Sequence, residues 1–165
     1  MTDINIEAVI AATREVGDMA MSRWRGEGRA VQVWDKSFDN PVSDVDLAVD
    51  ERLKAVLGAI EPEAGWLSEE TADNKQRLSR RHMWCVDPID GTRDFIRGRA
   101  GWAVSVALVT DGLPRLGVLY APARDELYVA AEGRGALLND QKLTASQRDQ
   151  FAGARVPSDI LGKID

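Results

Sequence analysis

The first sixty residues follow a helical pattern of apolar positions. Between residues 5 and 25 the apolar and small side chains recur three and four positions apart, which predicts a long helix capped by Asn5. Residues 43–60 repeat this spacing and predict a second helix. Residues 31–34 alternate like a short strand, and residues 37–41 have the composition of a polar turn. We therefore expect two amphipathic helices joined by a short extended connection.

From residue 65 onward the apolar positions alternate with a period of two, which predicts strands. Asp111-Gly112 is a typical hairpin turn between two of them. Two helices followed by a meander of strands predict an α+β fold, with both helices packed on a largely antiparallel sheet. The predicted strands are, in order, 65–68, 83–86, 102–109, a strand carrying Leu116, Val118 and Tyr120, then 127–129 and 136–138.

The segment Asp87-Pro88-Ile89-Asp90-Gly91-Thr92 directly follows a predicted buried strand. Its two acids lie three positions apart across a bend, so both carboxylates can face one point, and the carbonyl oxygen of Ile89 can join them. Hard cations such as Mg²⁺ prefer this kind of oxygen ligand. The alternative is a capped turn, because Asp-Pro and Asp-Gly are both common turn sequences.

Two further acids, Glu69 and Glu70, follow the preceding strand. Taken alone they are typical of a solvated loop. If the two strand ends lie side by side, however, Glu69 comes close to Asp87 and Asp90. Three carboxylates so close raise the pKa of at least one of them unless a cation is bound. This predicts a divalent-metal site at one edge of the sheet.

Thr92 opens a short predicted helix, where the backbone N–H groups of Gly91 and Thr92 can face an anion. Asp46 has two interpretations. It can close a capping box with Ser43, or it can accept a hydrogen bond from Thr92 and so orient a water molecule. An anion site beside a dication site is the arrangement of metal-assisted phosphoryl hydrolysis.

The composition excludes several other kinds of chemistry. With 27 acidic and 21 basic residues and a net charge of −6, the chain is a poor candidate for binding a nucleic-acid polymer. One cysteine and one histidine rule out an intrachain disulfide and metal sites rich in thiolate or imidazole. No membrane helix and no secretion signal are visible, so we expect a cytoplasmic protein that does not bind membranes. We interpret Lys36 as a solvated surface lysine and the tryptophans as core or interface residues.

The run from Trp84 to Phe95 resembles the signature of the inositol monophosphatase family, whose members are Mg²⁺-dependent, lithium-sensitive phosphatases. The similarity extends to Lys36 and to segments 42–46, 68–70 and 133–136. It covers roughly residues 5–145, nearly the whole chain. The resemblance implies the N-terminal half of an αβαβα sugar-phosphatase fold, a small phosphorylated metabolite as substrate and a homodimer.

The resemblance also implies roles for individual residues. It assigns two or three Mg²⁺ ions, with Li⁺ as inhibitor, and assigns Gly91 and Thr92 to the substrate phosphate. Asp46 and Thr92 match the pair that helps to activate the attacking water, and Glu69 joins them as a catalytic residue. The metal ligands that it implies are Glu69, Asp87, the carbonyl of Ile89, and Asp90.

Two departures from the family pattern leave alternatives open. Arg93-Asp94 stands where inositol-specific members typically have Thr-Asn, so a 3′(2′),5′-bisphosphate nucleotidase or a histidinol phosphatase is an alternative. The late Trp-Asp-x-Ala motif, which supplies a further metal ligand, is absent after residue 120. We therefore expect a metal-binding phosphatase domain over 1–145 and the start of a missing C-terminal α/β domain over 146–165. Such a chain would be weak or inactive alone, and a truncated, non-catalytic metal-binding domain is the alternative of another class.

Overall fold

The computed structural model describes residues 4–24, 31–37 and 40–154. The helices in these ranges are α1 Ile6–Arg23, α2 Asp44–Ile60 and α3 Thr92–Ile96, with 3₁₀ turns at Gln76–Ser79 and Pro122–Arg124. The strands in the same ranges are β1 Val33–Ser37, β2 Asn40–Ser43, β3 Gly65–Ser68, β4 His82–Asp90, β5 Ala103–Thr110, β6 Leu113–Ala121, β7 Glu126–Ala131, β8 Gly135–Leu138 and β9 Gln141–Lys142.

Strands β3 to β9 form one sheet in which the spatial order follows the chain order. Neighbouring strands are antiparallel except β3 and β4, which run parallel with Ser68 opposite Val86. Strands β1 and β2 form a separate antiparallel pair. The α+β fold with a largely antiparallel sheet is thus confirmed. The parallel pair matters for the site, because parallel strands end at the same edge of a sheet.

Helices α1 and α2 pack against the sheet and enclose the core. The alternation in β5 is as predicted, since Val104, Val106 and Leu108 are fully or almost fully buried beneath the helices. At Gly17, an added Cβ would lie 2.4 Å from the ring of Tyr120 in β6. Any larger residue at position 17 would therefore have to displace the Tyr120 ring or move α1 away from the sheet.

Both predicted helices are confirmed, and their caps hold as expected. The side chain of Asn5 accepts a hydrogen bond from the backbone N–H of Ala8 at 3.0 Å. Ser43 and Asp46 form the capping box at the start of α2. Burying the apolar stripes of two such helices on a sheet is the main favourable term in a fold of this kind. The predicted end of the first helix, beyond Trp24, lies outside the described residues.

The structure corrects three sequence-based expectations. The segment after Val86 is not a turn, because β4 continues to Asp90. Part of the predicted polar turn over residues 37–41 is strand instead, because Asn40 begins β2. Trp34 is not a core residue, since 43% of it is exposed. β1 is exposed along its whole length, so alternation in that segment marks a strand but no buried face.

None of the helices within the described ranges is long and apolar enough to cross a membrane. Residues 143–154 form neither helix nor strand. The domain boundary near residue 145 therefore stays a prediction.

Candidate active site

The parallel pairing of β3 and β4 brings two acidic segments together at one edge of the sheet. Ser68 lies opposite Val86, so Glu69 and Asp87 each stand one residue beyond that pair. The two carboxyl groups share a hydrogen bond. The expectation that the two strand ends lie side by side is therefore confirmed.

A β-bulge brings Asp90 to the same place. Asp87 pairs with Ser105 and Asp90 pairs with Ala103, so β4 has one residue more than β5 between these pairs. In a regular strand, side chains three residues apart point to opposite faces of the sheet. The extra residue in the bulge allows Asp87 and Asp90 to face the same side. Pro88 lies in the bulge. Its lack of a backbone N–H is tolerated there, because the regular hydrogen-bond pattern between the strands is interrupted at a bulge.

Asp87 is the electrostatic centre of this cluster. Burial, the charge and hydrogen bond of Glu69, and the charges of Asp90 and Glu70 together raise the pKa of Asp87 to about 7. A proton shared between the carboxyl groups of Asp87 and Glu69 relieves their repulsion, which is why this contact raises the pKa of Asp87. The charges of Glu69, Glu70 and Asp90 therefore act on Asp87, and Lys36, which pairs with Glu69 and Glu70, offsets part of this negative charge.

This arrangement fits a divalent cation in its chemistry, although its ligands are not yet in place. The donors are hard oxygens whose mutual repulsion a cation would relieve. Within residues 4–24, 31–37 and 40–154, however, no group of three or more histidine, cysteine, aspartate or glutamate side chains is arranged to hold a metal ion. Binding would therefore require Glu69 and Asp87 to exchange their shared hydrogen bond for metal contacts. The roles of Glu69, Asp87, Ile89 and Asp90 as ligands stay predictions.

Without metal, the chain should lose stability as the pH rises from 5 to 8. The pKa of Asp87 is raised in the folded state, so folding binds a proton between the unfolded pKa near 4 and the folded pKa of about 7. The stabilisation that comes from protonated Asp87 is complete below the pKa that this group has in the unfolded chain. It is lost as the pH rises through the pKa of Asp87 in the folded chain. One pKa unit corresponds to about 1.4 kcal/mol, and solvent screening of this partly exposed group reduces the loss to about 1–2 kcal/mol.

Urea unfolding in EDTA at pH 5 and pH 8 measures this loss. Asp87→Asn is the control, because an amide cannot titrate and should flatten the pH dependence. If the free energy of unfolding falls with pH no more steeply in wild type than in Asp87→Asn, the raised pKa does not belong to Asp87.

Thr92 joins the bulge to helix α2. Its Oγ1 lies 3.0 Å from Asp46 Oδ1 and 3.0 Å from the carbonyl oxygen of Ile89, and can donate to either. The other carboxylate oxygen of Asp46 accepts from the backbone N–H of Ser43 at 2.9 Å and from the Ser43 hydroxyl. Asp46 therefore caps α2 and also accepts from Thr92, while its role in orienting a water molecule stays a prediction. Burial raises the pKa of Asp46, and these hydrogen bonds oppose the rise.

Gly91 forms the turn between β4 and α3 and has a φ of +90°. An added Cβ would lie 2.4 Å from the carbonyl oxygen of Gly101. The backbone itself thus excludes a side chain here, on grounds of both conformation and space. Gly91 and Thr92 directly follow Asp90 in the chain, and the role of their N–H groups in phosphate binding stays a prediction.

Replacing Gly91 with alanine should destabilise the chain by about 2 kcal/mol or more, because the positive φ and the collision act together. Gly117→Ala is the matched control. Gly117 lies in β6, where an added Cβ meets nothing within 4 Å. Thermal unfolding of both variants measures the difference, and equal midpoints would show that the Gly91 turn relaxes freely.

Sequence reasoning missed one interaction next to the cluster. Lys36 is exposed, as expected, but it is also ion-paired: its Nζ atom lies 2.8 Å from Glu70 Oε1 and 3.5 Å from Glu69 Oε1. Only 3% of the Glu70 side chain is exposed. Burial raises the pKa of Glu70, and Lys36 opposes that rise. Lys36 therefore pairs with both glutamates, more closely with the buried Glu70, while Glu69 also contacts Asp87. A lysine some thirty residues away gives no local signal of this pairing.

Comparison with known proteins agrees with the geometry. The sequence profile of the inositol monophosphatase family matches residues 2–163. The chain is 36% identical over 161 residues to an inositol-1-monophosphatase of Mesorhizobium japonicum, covering 95% of this chain and 58% of that protein. It is 45% identical over 96 residues to a histidinol-phosphatase of Mycobacterium tuberculosis, covering 58% of this chain and 36% of that protein.

Solved structures resemble the fold as well. The crystal structure of the extragenic suppressor protein suhB from Bartonella henselae superimposes with a TM-score of 0.78 at 32% identity. The alignment covers 86% of this chain and 54% of that one. The chain spans about half the length of the curated relatives that it matches.

Proposed function

The chain belongs to the inositol monophosphatase family, and from this we propose that its site takes part in Mg²⁺-dependent hydrolysis of a small phosphate monoester. The proposal concerns the site as it would work in a protein of the relatives' length. Its relatives include phosphatases of inositol phosphate and of histidinol phosphate. The observation that carries it is the hydrogen bond from Thr92 to Asp46, whose charge acts on Glu70 in the acidic cluster.

The residues that would hold the metal are Glu69, Asp87, Asp90 and the carbonyl of Ile89. Bound Mg²⁺ would supply charge neutralisation for the phosphate and a lowered pKa for a coordinated water. Asp87 and Glu69 would contribute their negative charge once their shared proton is released. The carbonyl oxygen of Ile89 has a second lone pair in addition to the one that faces Thr92.

Thr92 and Asp46 would orient and deprotonate the attacking water. The Thr92 hydroxyl can donate to Asp46 Oδ1 while its lone pairs accept a hydrogen bond from a water on the opposite side. The raised pKa of Asp46 makes its carboxylate a stronger base than an exposed aspartate. The proton would move from the water to the threonine oxygen as the threonine proton moves to Asp46. The N–H groups of Gly91 and Thr92 would hold the phosphate oxygens.

Histidinol phosphate is a second candidate substrate, beside inositol phosphate. Two observations favour it: the charged pair Arg93-Asp94 next to the phosphate site, and the 45% identity to the histidinol-phosphatase of Mycobacterium tuberculosis. Both candidates are phosphate monoesters of small polar alcohols, so the same site chemistry serves either.

A substrate panel tests the proposal, using a protein in which this chain is continued to the length of its relatives. Inositol 1-phosphate, histidinol phosphate and a nucleoside 3′,5′-bisphosphate are each assayed for phosphate release with Mg²⁺ and with EDTA. We expect release that requires Mg²⁺ and falls with Li⁺. The 165-residue chain alone should turn over far below roughly 1 s⁻¹. Release that persists in EDTA would contradict the proposal.

A further inference from the structure

The segment that carries the acid pair is held at both ends by one buried carboxylate. Asp50 lies on α2 one helical turn after Asp46 and is 7% exposed. Its Oδ1 accepts from the hydroxyl of Ser68, and its Oδ2 accepts from Thr71 Oγ1 at 2.5 Å. The Ser68 hydroxyl in turn accepts from the backbone N–H of Glu70 at 3.1 Å.

The packing of α2 does not require a carboxylate at this position. Val49 and Leu53 already fill the apolar face of the same helix and are fully buried. A buried carboxylate costs free energy unless its oxygens are hydrogen-bonded. Both oxygens of Asp50 contact hydroxyl groups from a single segment, residues 68–71, which carries Glu69 in its middle.

We propose that Asp50 is a positioning residue for the metal site and is not itself a metal ligand. By holding Ser68 and Thr71, it fixes the backbone of residues 68–71 so that the Glu69 carboxylate stays beside Asp87. This inference rests on the proposed function, because it assigns Asp50 to the same site. Partners of metal ligands commonly change metal affinity by about 10- to 100-fold when removed.

Helix α2 then serves as a common support for both acidic segments. Asp46 contacts Thr92 at the junction of β4 and α3, and Asp50 contacts the end of β3. The two carboxylates stand one turn apart on one rigid helix. Relative movement of the two strand ends would have to break at least one of these contacts.

The test compares three variants of the 165-residue chain by Mg²⁺ calorimetry. Asp50→Ala removes both hydrogen bonds and should weaken Mg²⁺ binding by about 10- to 100-fold. Asp50→Asn should recover affinity to within about fivefold of wild type, because its amide can accept from Ser68 and donate to Thr71. Glu51→Ala is the control, since Glu51 is an exposed acid on the same helix, and it should leave affinity unchanged.

A second measurement needs no metal. Hydrogen exchange of the Glu70 amide, which bonds to Ser68, should become at least about tenfold faster in Asp50→Ala. The amide of Leu53 in α2 should keep its wild-type rate. If Asp50→Ala fails to fold, Thr71→Val replaces it, because valine keeps the shape of threonine and removes one of the two hydrogen bonds. Thr71→Val should weaken Mg²⁺ binding severalfold.

The outcomes separate this inference from the proposed function. Glu69→Gln is measured alongside as the variant of a metal ligand. If Glu69→Gln weakens Mg²⁺ binding while Asp50→Ala does not, the positioning role is wrong and the metal site stands. If Asp50→Asn binds Mg²⁺ as weakly as Asp50→Ala, the charge of Asp50 and not its hydrogen bonds supports binding, and the inference is overturned. If Glu69→Gln leaves Mg²⁺ binding unchanged, the metal site itself is wrong.

Discussion

Replacing Asp87 with asparagine should move metal affinity and metal-free stability in opposite directions. Asparagine has the shape of the protonated carboxyl and can still donate to Glu69, but it carries no charge. The pKa of about 7 shows that the folded chain disfavours a charge at this position. At pH 8 the variant should therefore be more stable than wild type in EDTA, by about 1–2 kcal/mol.

Mg²⁺ affinity should fall in the same variant. Removing an outer partner of a metal ligand commonly costs about 10- to 100-fold, so losing a direct carboxylate ligand should cost at least about 100-fold. Calorimetry with Mg²⁺ and urea unfolding in EDTA measure the two effects on one protein. Asp149→Asn, an exposed acid outside the cluster, is the control for the change in net charge. A variant that is less stable without metal, or that binds Mg²⁺ as tightly as wild type, would contradict the account.

Replacing Thr92 with valine should reduce kcat by about 10²- to 10⁴-fold in a protein of the relatives' length. Valine keeps the branched shape but removes the hydroxyl that lies 3.0 Å from Asp46 Oδ1. Thr92→Ser retains the hydroxyl and should stay within about tenfold of wild type. Mg²⁺ affinity should change little in either variant, because the threonine side chain is not among the proposed ligands.

Steady-state phosphate release and Mg²⁺ calorimetry together check this prediction. A loss of activity that saturating Mg²⁺ restores would assign the hydroxyl to metal binding instead of water activation. Equal activity of the valine and threonine proteins would remove the Thr92–Asp46 pair from the mechanism.

Local sequence patterns were sufficient for most of the fold. The helical spacing in α1 and α2, the Asn5 cap and the alternation in β5 each depend on residues close together in the chain. The same holds for the hairpin turn at Asp111, whose positive φ the Asp-Gly sequence accommodates. These features could be predicted because local propensity and burial favour the same structure.

The continuation of β4 through Pro88 could not be predicted in this way. Asp-Pro and Asp-Gly both favour a turn locally, and the strand persists only because β5 pairs with it on both sides of a bulge. The short strand β9 is similar, since Gln141 and Lys142 are polar and exposed and pair only with β8. In both cases the tertiary pairing overrides the local preference.

At the site, the sequence indicated which residues meet but not what holds them. The approach of Glu69 to Asp87 followed from the prediction that the two strand ends lie side by side. The contacts of Lys36 with Glu70, and of Asp50 with Ser68 and Thr71, span 18 to 34 positions and connect different elements. Their partners are common surface residue types, so no pattern along the chain marks them.

The central claim is that the carboxylates around Asp87 bind a divalent cation, and a crystal soaked in Mn²⁺ tests it most directly. Anomalous scattering locates Mn²⁺ without reference to the chain. We expect an anomalous peak about 2.0–2.6 Å from carboxylate oxygens of Glu69 and Asp87 and from the carbonyl oxygen of Ile89. We also expect the hydrogen bond between Glu69 and Asp87 to be broken in that crystal. An intact hydrogen bond with no peak at this edge of the sheet, at millimolar Mn²⁺, would contradict the account.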